Sequence, residues 1–208
     1  MSVLLILGAG GHGKVVGEAA AAMGRWERLV FLDDRFPVCS RVLGWDVLGR
    51  LDDADAWGAG SVGLDGFGAP PEAVVAIGGN ETRTRLLRAL AARGFALPSV
   101  IHPRACVSPS AEIGAGTVIL AQATVNAQAR LGLGCIVNTG AAIDHDCRLG
   151  DGVHVSPGAH IAGEVRIDRH AWIGIGANVI EASWGALVDG LTFGLRRQHQ
   201  SRAGDAAE

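Results

Sequence analysis

The chain has 208 residues, of which 49% are hydrophobic and 19% charged, with a formal net charge of −3. This composition predicts a soluble globular protein, offers no broad basic field for nucleic acid, and contains no apolar run near the roughly 20 residues that a membrane span needs. The four cysteines form no C-x-x-C pair and no secretion signal precedes the first apolar segment, so we expect reduced thiols and a cytoplasmic protein.

Strand-like and helix-like segments alternate over residues 1–97. Residues 3–7, 29–32 and 74–77 are strand-like, and residues 14–23 and 81–93 are helix-like. This order predicts a small α/β domain with a parallel, Rossmann-like sheet. Between residues 54 and 71 the periodicity is lost, and we expect loop or weak structure there.

A glycine-rich turn follows the first strand and opens the first helix. Its glycines satisfy the G-x-G-x-x-G fingerprint, and an acidic pair follows at a distance of about 20 residues. Glycines let a phosphate approach the backbone, and the amides at the helix N-terminus receive its charge. Because residues 1–97 supply only one mononucleotide half, a nucleotide with one base fits better than a dinucleotide; a turn that merely connects strand and helix is the alternative. The candidate ligands of a nucleotide here are Gly8, Gly10, Gly11, His12, Gly13, Lys14, Asp33 and Asp34.

From Ile101 to Val179 an aliphatic residue stands at every sixth position, and a small or compact residue follows four places after each. A period of six with two buried positions fits a chain that turns a corner every six residues, whereas a helix repeats at about 3.6 and a strand at 2. Three corners make a triangular coil of 18 residues. Gly114, Gly132 and Gly150 recur at that spacing, where we expect a positive φ or close backbone approach.

His145 and Asp146 fall two and three positions after the inward-facing Ile143, so they belong to the outer surface of the coil. Gly163 lies 18 residues after His145 and therefore sits over it, at the spacing of about 4.8 Å between parallel strands. Histidine suits proton removal near neutral pH, and a backbone N–H such as that of Gly163 can stabilise an oxyanion. Either Asp146 or Asp144 could orient the imidazole.

Four segments occur together and in order: 7–14 (LGAGGHGK), 31–34 (FLDD), 76–80 (AIGGN) and 138–159, which begins NTGAAIDHDC. They resemble the hexapeptide-repeat sugar acetyltransferases of the PglD and NeuD type over residues 3 to about 181. The resemblance implies a left-handed parallel β-helix, although general crossover rules favour right-handed connections. It also implies that the site lies between neighbouring subunits of a homotrimer.

The resemblance assigns roles residue by residue. It implies that His145 is the general base and Asp146 its partner, although many relatives carry the longer Glu at the second position. It further implies that the nucleotide-sugar site includes Gly78 and Asn80, and that acetyl-CoA lies beside Asn138, His154, Gly163 and Gly174.

These features together predict an acetyl-CoA-dependent N-acetyltransferase that acts on a UDP- or GDP-linked 4-amino-4,6-dideoxy sugar by direct acyl transfer. A sugar or sialic acid O-acetyltransferase and a non-catalytic, nucleotide-binding trimeric module are the alternatives. We expect no metal, since no close set of histidine ligands stands out. The predicted domains are 1–97, 98–181 and an irregular tail at 182–208, where Arg196 and Arg197 are candidates for contacts with CoA phosphates.

Overall fold

A computed structural model describes residues 2–54 and 72–180 of the chain. The expected loop at 55–71 and the predicted tail at 182–208 lie outside the described residues. Over the described parts, an α/β unit is followed by a long stack of two-residue strands.

The N-terminal unit is built on a five-stranded sheet in the order β3-β4-β2-β1-β5, parallel except for the pair β3 and β4. Its elements are β1 (Val3–Leu7), α1 (Gly11–Met23), β2 (Arg28–Leu32), β3 (Arg41–Val42), β4 (Trp45–Gly49), β5 (Glu72–Val75) and α2 (Asn80–Ala92). The predicted strands and helices are present with bounds shifted by a few residues. The sequence reading missed the β3–β4 hairpin, because β3 is too short to show alternation.

Alternate residues of β1 pack into separate cores on the two faces of the sheet. Leu4 and Ile6 join a cluster with Val16 of α1, whereas Leu5 and Leu7 join one with Leu87 of α2. A parallel strand covered on both faces reads as a continuous apolar run, which is why VLLIL shows no polar alternation. The two helices therefore sandwich the sheet.

The C-terminal unit is a triangular parallel β-helix whose three faces are here named A, B and C. Face A contains the strands Val100–Ile101, Val118–Ile119, Ile136–Val137, His154–Val155 and Trp172–Ile173. Face B contains Cys106–Val107, Thr124–Val125, Ala142–Ile143, His160–Ile161 and Asn178–Val179. Face C contains Glu112–Ile113, Arg130–Leu131, Arg148–Leu149 and Arg166–Ile167. The predicted aliphatic register is confirmed, because these residues and the small residues that follow them form one interior cluster.

The chain turns each corner through the left-handed region of backbone space. From residue 116 to residue 176 every sixth residue has a positive φ, and five of these residues are not glycine: Gln122, Gln128, Asp146, Glu164 and His170. Gly114, Gly132 and Gly150 serve close approach instead, since a Cβ on Gly114 would lie 2.3 Å from the Gly132 carbonyl oxygen of the next coil. Of the two expectations for these glycines, positive φ was wrong and close packing was right.

The α/β unit packs on face A and on the corner between faces C and A. Val100 and Val118 of face A belong to the same cluster as β1 and α1. Beside them Arg83 of α2 is fully buried and donates to the carbonyl oxygens of Gly134 and Gly152, at 2.7 Å each. The same guanidinium also donates to Ile77 O at 3.0 Å. One side chain thus ties the end of the sheet to two successive coils.

Candidate active site

His145 and Asp146 stand side by side on the corner between faces B and C. The Nδ1 atom of His145 lies 2.8 Å from Oδ2 of Asp146, and both side chains are about half exposed, at 53% and 49%. Asp146 reaches the ring from a left-handed backbone conformation, with φ +59°. A neutral imidazole that donates Nδ1–H to this carboxylate keeps its lone pair on Nε2. Asp146, although shorter than a glutamate, therefore reaches the imidazole of His145.

Asp144 supports the backbone rather than the ring. Its Oδ1 accepts the His145 N–H at 2.8 Å and the Asn126 amide of the previous coil at 2.9 Å. The bond from Asn126, and then the bond from the His145 N–H, lower the pKa of Asp144. The hydrogen bond to Asp146, followed by the charge of Asp144, raises the pKa of His145. Two carboxylates thus act on one imidazole: Asp146 through a hydrogen bond and Asp144 through its charge.

Gly163 lies over the ring of His145, as its 18-residue offset predicts. A Cβ at Gly163 would come 2.7 Å from both Cε1 and Nε2 of His145, so the ring occupies the space that any side chain would fill. The Gly163 N–H donates no hydrogen bond to any acceptor within residues 2–54 and 72–180. An unengaged amide and the Nε2 atom of His145 therefore lie on the same corner.

The glycine-rich loop lies at the carboxyl end of β1, where β2 departs to one side and β5 to the other. Such a switch point opens a crevice at the strand ends. Gly8, with φ +108°, and Gly13 serve the fold, because a Cβ on either would collide with backbone, at 2.9 Å from Ala76 O and at 2.0 Å from Gly8 O respectively. A Cβ on Gly10 or Gly11 would meet nothing within 4 Å, and no side chain caps the N-terminus of α1. These two positions leave room for a ligand.

The acidic pair after β2 is tied to its surroundings. Asp33 accepts the Ala9 N–H at 2.7 Å and pairs with the Arg35 guanidinium, whose hydrogen bond is the first cause that lowers the pKa of Asp33 to about 2. Asp34 accepts the Leu51 N–H at 3.2 Å. Asp33 therefore holds the backbone of the glycine-rich loop at Ala9. Lys14, at the start of α1, is exposed.

His12 of the glycine-rich loop and His154 of face A share one buried environment. The pKa of each is lowered to about 4, with burial as the first cause, and the proximity of His154 is the second cause for His12. His154 stacks on Trp172 with ring centroids 4.9 Å apart, and its Nε2 lies 3.2 Å from Nδ2 of Asn138. The atoms His12 Nε2 and His154 Nδ1 are buried without a partner among the described residues. The lowered pKa values favour the neutral form of both histidines near neutral pH.

The candidate residues fall into two separate groups within one chain. The face-A group comprises the glycine-rich loop, Gly78 at the end of β5, Asn138, His154 and Gly174, whose Cβ position is open. The corner group comprises His145, Asp146 and Gly163. A corner between faces B and C is opposite face A, so the width of the prism, on the order of 15 Å at about 3.3 Å per residue, separates the groups.

Comparison with known proteins identifies the family. A family model described as the PglD N-terminal domain matches residues 3–90. The acetyltransferase domain of PglB from Neisseria gonorrhoeae FA1090 is 44% identical, with coverage of 88% of this chain and 84% of that chain and a TM-score of 0.78. The chain belongs to the PglD-type sugar acetyltransferase family. The predicted α/β domain and left-handed parallel β-helix are thereby confirmed.

Other members of the PglD-type family have substrates in their names or structures. The same Neisseria domain has a structure in complex with acetyl coenzyme A. PerB from Caulobacter crescentus, in complex with CoA and GDP-perosamine, is 37% identical, with coverage of 88% of this chain and 82% of that chain and a TM-score of 0.76. UDP-N-acetylbacillosamine N-acetyltransferase from Bacillus subtilis (strain 168) is 36% identical over 134 residues, or 58% of this chain, which spans about half (52%) of that protein.

Sequence reading missed the contacts at the domain junction. Asn80, predicted beside the nucleotide sugar, donates from Nδ2 to His170 O at 2.9 Å and accepts from Arg83 through Oδ1 at 2.9 Å, so the structure commits its side chain to the junction. Arg83 had no sequence signal, because its partners are carbonyl oxygens.

Over the part of the chain that is described, no group of three or more His, Cys, Asp or Glu could hold a metal ion. No helix there is long and apolar enough to cross a membrane.

Proposed function

We propose that this protein transfers the acetyl group of acetyl-CoA to the 4-amino group of a UDP- or GDP-linked 4-amino-4,6-dideoxy sugar. The observation that carries the proposal is the pairing of His145 with Asp146 beneath the unengaged N–H of Gly163. An amine acceptor requires a base and a thioester carbonyl requires an oxyanion donor, and this corner offers both.

The chemistry follows from these atoms. The acceptor nitrogen attacks the thioester carbonyl carbon and gives its proton to Nε2 of His145. The Gly163 N–H donates to the oxygen that becomes negative. When the C–S bond breaks, the proton on Nε2 passes to the departing thiolate, which regenerates the neutral base. Asp146 stabilises the imidazolium between the two transfers, and Asp144 adds its charge.

We assign both substrates to the face-A group and the proton transfer to the corner group. We assign the nucleotide sugar to the crevice at the switch point, where Gly10, Gly11 and Gly78 leave open backbone, and residues 1–97 as the unit that holds it. We assign acetyl-CoA to the β-helix at 98–181, along Asn138, His154 and Gly174. Both substrates are metabolites of the cytoplasm, where we place the reaction.

The site is completed by a neighbouring copy in a homotrimer. Support comes from the separation of the groups: a sugar held at face A of one chain cannot reach His145 on the opposite corner of the same prism. The test uses two variants that are each inactive, His145→Ala and Gly11→Val. Mixed by unfolding and refolding together, they form trimers in which an intact loop meets an intact histidine of a neighbour, and activity should return in part. No recovery in verified mixed trimers would contradict a shared site.

The activity itself is tested by thiol release from acetyl-CoA. UDP- and GDP-linked 4-amino sugars are the acceptors, and the matched 4-hydroxy sugars and free sialic acid are the controls. We expect turnover with an amino sugar. We also expect the protein to bind the cognate nucleoside diphosphate when no sugar is attached to it. Preference for a hydroxyl acceptor would establish O-acetylation, and binding of a nucleotide without any turnover would favour the non-catalytic module.

A further inference from the structure

A polar groove runs along face C directly beside the corner that carries His145. It has a volume of about 330 Å³ and is lined by Gln128, Arg130, Asp146, Arg148, Glu164 and Arg166. The corner residues form one wall and the arginines form the other. Asp146, which holds the imidazole, therefore also borders this groove.

The three arginines are stacked by the register of the β-helix. Arg130 pairs with Arg148 and Arg148 with Arg166 as in-register neighbours on parallel strands, about 4.8 Å apart. Like charges placed directly opposite one another on adjacent strands are destabilising. The fold gains no burial in return, since all three side chains are exposed. The stack therefore costs stability in the isolated chain.

Internal partners do not account for the stack. Arg130 lies 3.4 Å from Glu112. The side chains of Arg148 and Arg166 make no hydrogen bond or ion pair with any residue in 2–54 or 72–180. Two guanidinium groups thus remain available on neighbouring coils, beside the catalytic corner.

We propose that Arg148 and Arg166 bind the diphosphate of a substrate whose reactive end lies at His145. Guanidinium forks bind phosphate oxygens in bidentate fashion, and two forks one coil apart suit two phosphates joined by a bridging oxygen. The inference rests on the proposed function, in which both substrates carry a diphosphate: the nucleotide sugar held by a neighbouring copy, and CoA. The groove is a phosphate subsite separate from the glycine-rich loop.

The experiment compares Arg148→Gln and Arg166→Gln with the control Arg169→Gln, an exposed arginine of the same coils that does not line the groove. Calorimetric titration with inorganic pyrophosphate requires no turnover, so it tests the subsite even if the proposed reaction is wrong. We expect both groove variants to lose one pyrophosphate site per chain and the control to retain it.

Kinetics then distinguish the source of the diphosphate. Each groove variant should raise the KM of one substrate about tenfold while kcat stays within twofold. A rise for acetyl-CoA assigns the groove to CoA, and a rise for the nucleotide sugar assigns it to the neighbour's ligand. Unchanged pyrophosphate binding would overturn the proposal. Loss of the trimer in sedimentation would also overturn it, because the arginines would then pair with acidic residues of another copy.

Discussion

Replacing Gly163 by alanine should displace the ring of His145 without destabilising the coil. The new methyl group would lie 2.7 Å from Nε2 and Cε1 of His145. Carbon atoms in contact are normally about 3.5–4.0 Å apart, so the ring must move by roughly 1 Å. It is half exposed and free to swing outward, which breaks its 2.8 Å contact with Asp146.

The expected result is a loss of activity without a loss of stability. A displacement of 1 Å at a catalytic group costs about 10²-fold, so kcat should fall about a hundredfold. The free energy of unfolding should change by no more than about 0.5 kcal/mol, because the displaced ring is on the surface. By NMR, the pKa of His145 should fall, since its hydrogen bond to Asp146 is the first cause of the raised value.

Gly150→Ala is the matched contrast. Its Cβ would lie 2.6 Å from the Arg169 backbone nitrogen, which cannot swing aside. That variant should lose about 1–3 kcal/mol of stability in urea unfolding. Near-native kcat in Gly163→Ala, or equal destabilisation of both variants, would refute the argument that the absent side chain exists to seat the imidazole.

Three further predictions follow from the same contacts. His145→Ala should lower kcat by roughly 10²- to 10⁴-fold while the affinities for both substrates stay within a few fold, as measured by steady-state kinetics and calorimetry. In Asp146→Asn, kcat/KM should level off at a lower pH than in the native enzyme, because loss of the carboxylate lowers the pKa below which the base is protonated. A pH profile that does not move would remove Asp146 from this role. Arg83→Met should lower the free energy of unfolding by about 3 kcal/mol, because it leaves buried carbonyl oxygens unpaired; the exposed Arg85→Met is the control, and equal effects of the two would contradict the clamp.

The site corner could be predicted from the sequence because a β-helix has a fixed coil length. Counting 18 residues from His145 gives Gly163, and the structure places one over the other. The same count would have found Arg130, Arg148 and Arg166 on one face, but a search for apolar repeats passes over polar ones.

The junction could not be predicted, because periodicity describes each unit separately. Nothing in the repeat indicates that Arg83 donates to Gly134, or that His12 shares an environment with His154. The choice between Asp144 and Asp146 as the ring's partner also depended on backbone geometry. The left-handed φ of Asp146 turns its carboxylate toward Nδ1, while Asp144 faces the backbone N–H.

Because the coils of the β-helix pair in register, equivalent positions are spaced along its axis in fixed steps. Each added coil would lengthen the prism by about 4.8 Å. An insertion into the coils that is not a multiple of six residues would turn inward-facing side chains outward, and one of six or twelve residues would move the residues that follow it to another face. The height of His145 above the first strand, Val100–Ile101, can therefore change only in whole coils. Under the proposed assignment of the substrates, a larger or smaller sugar is accommodated instead by the loops of the α/β unit.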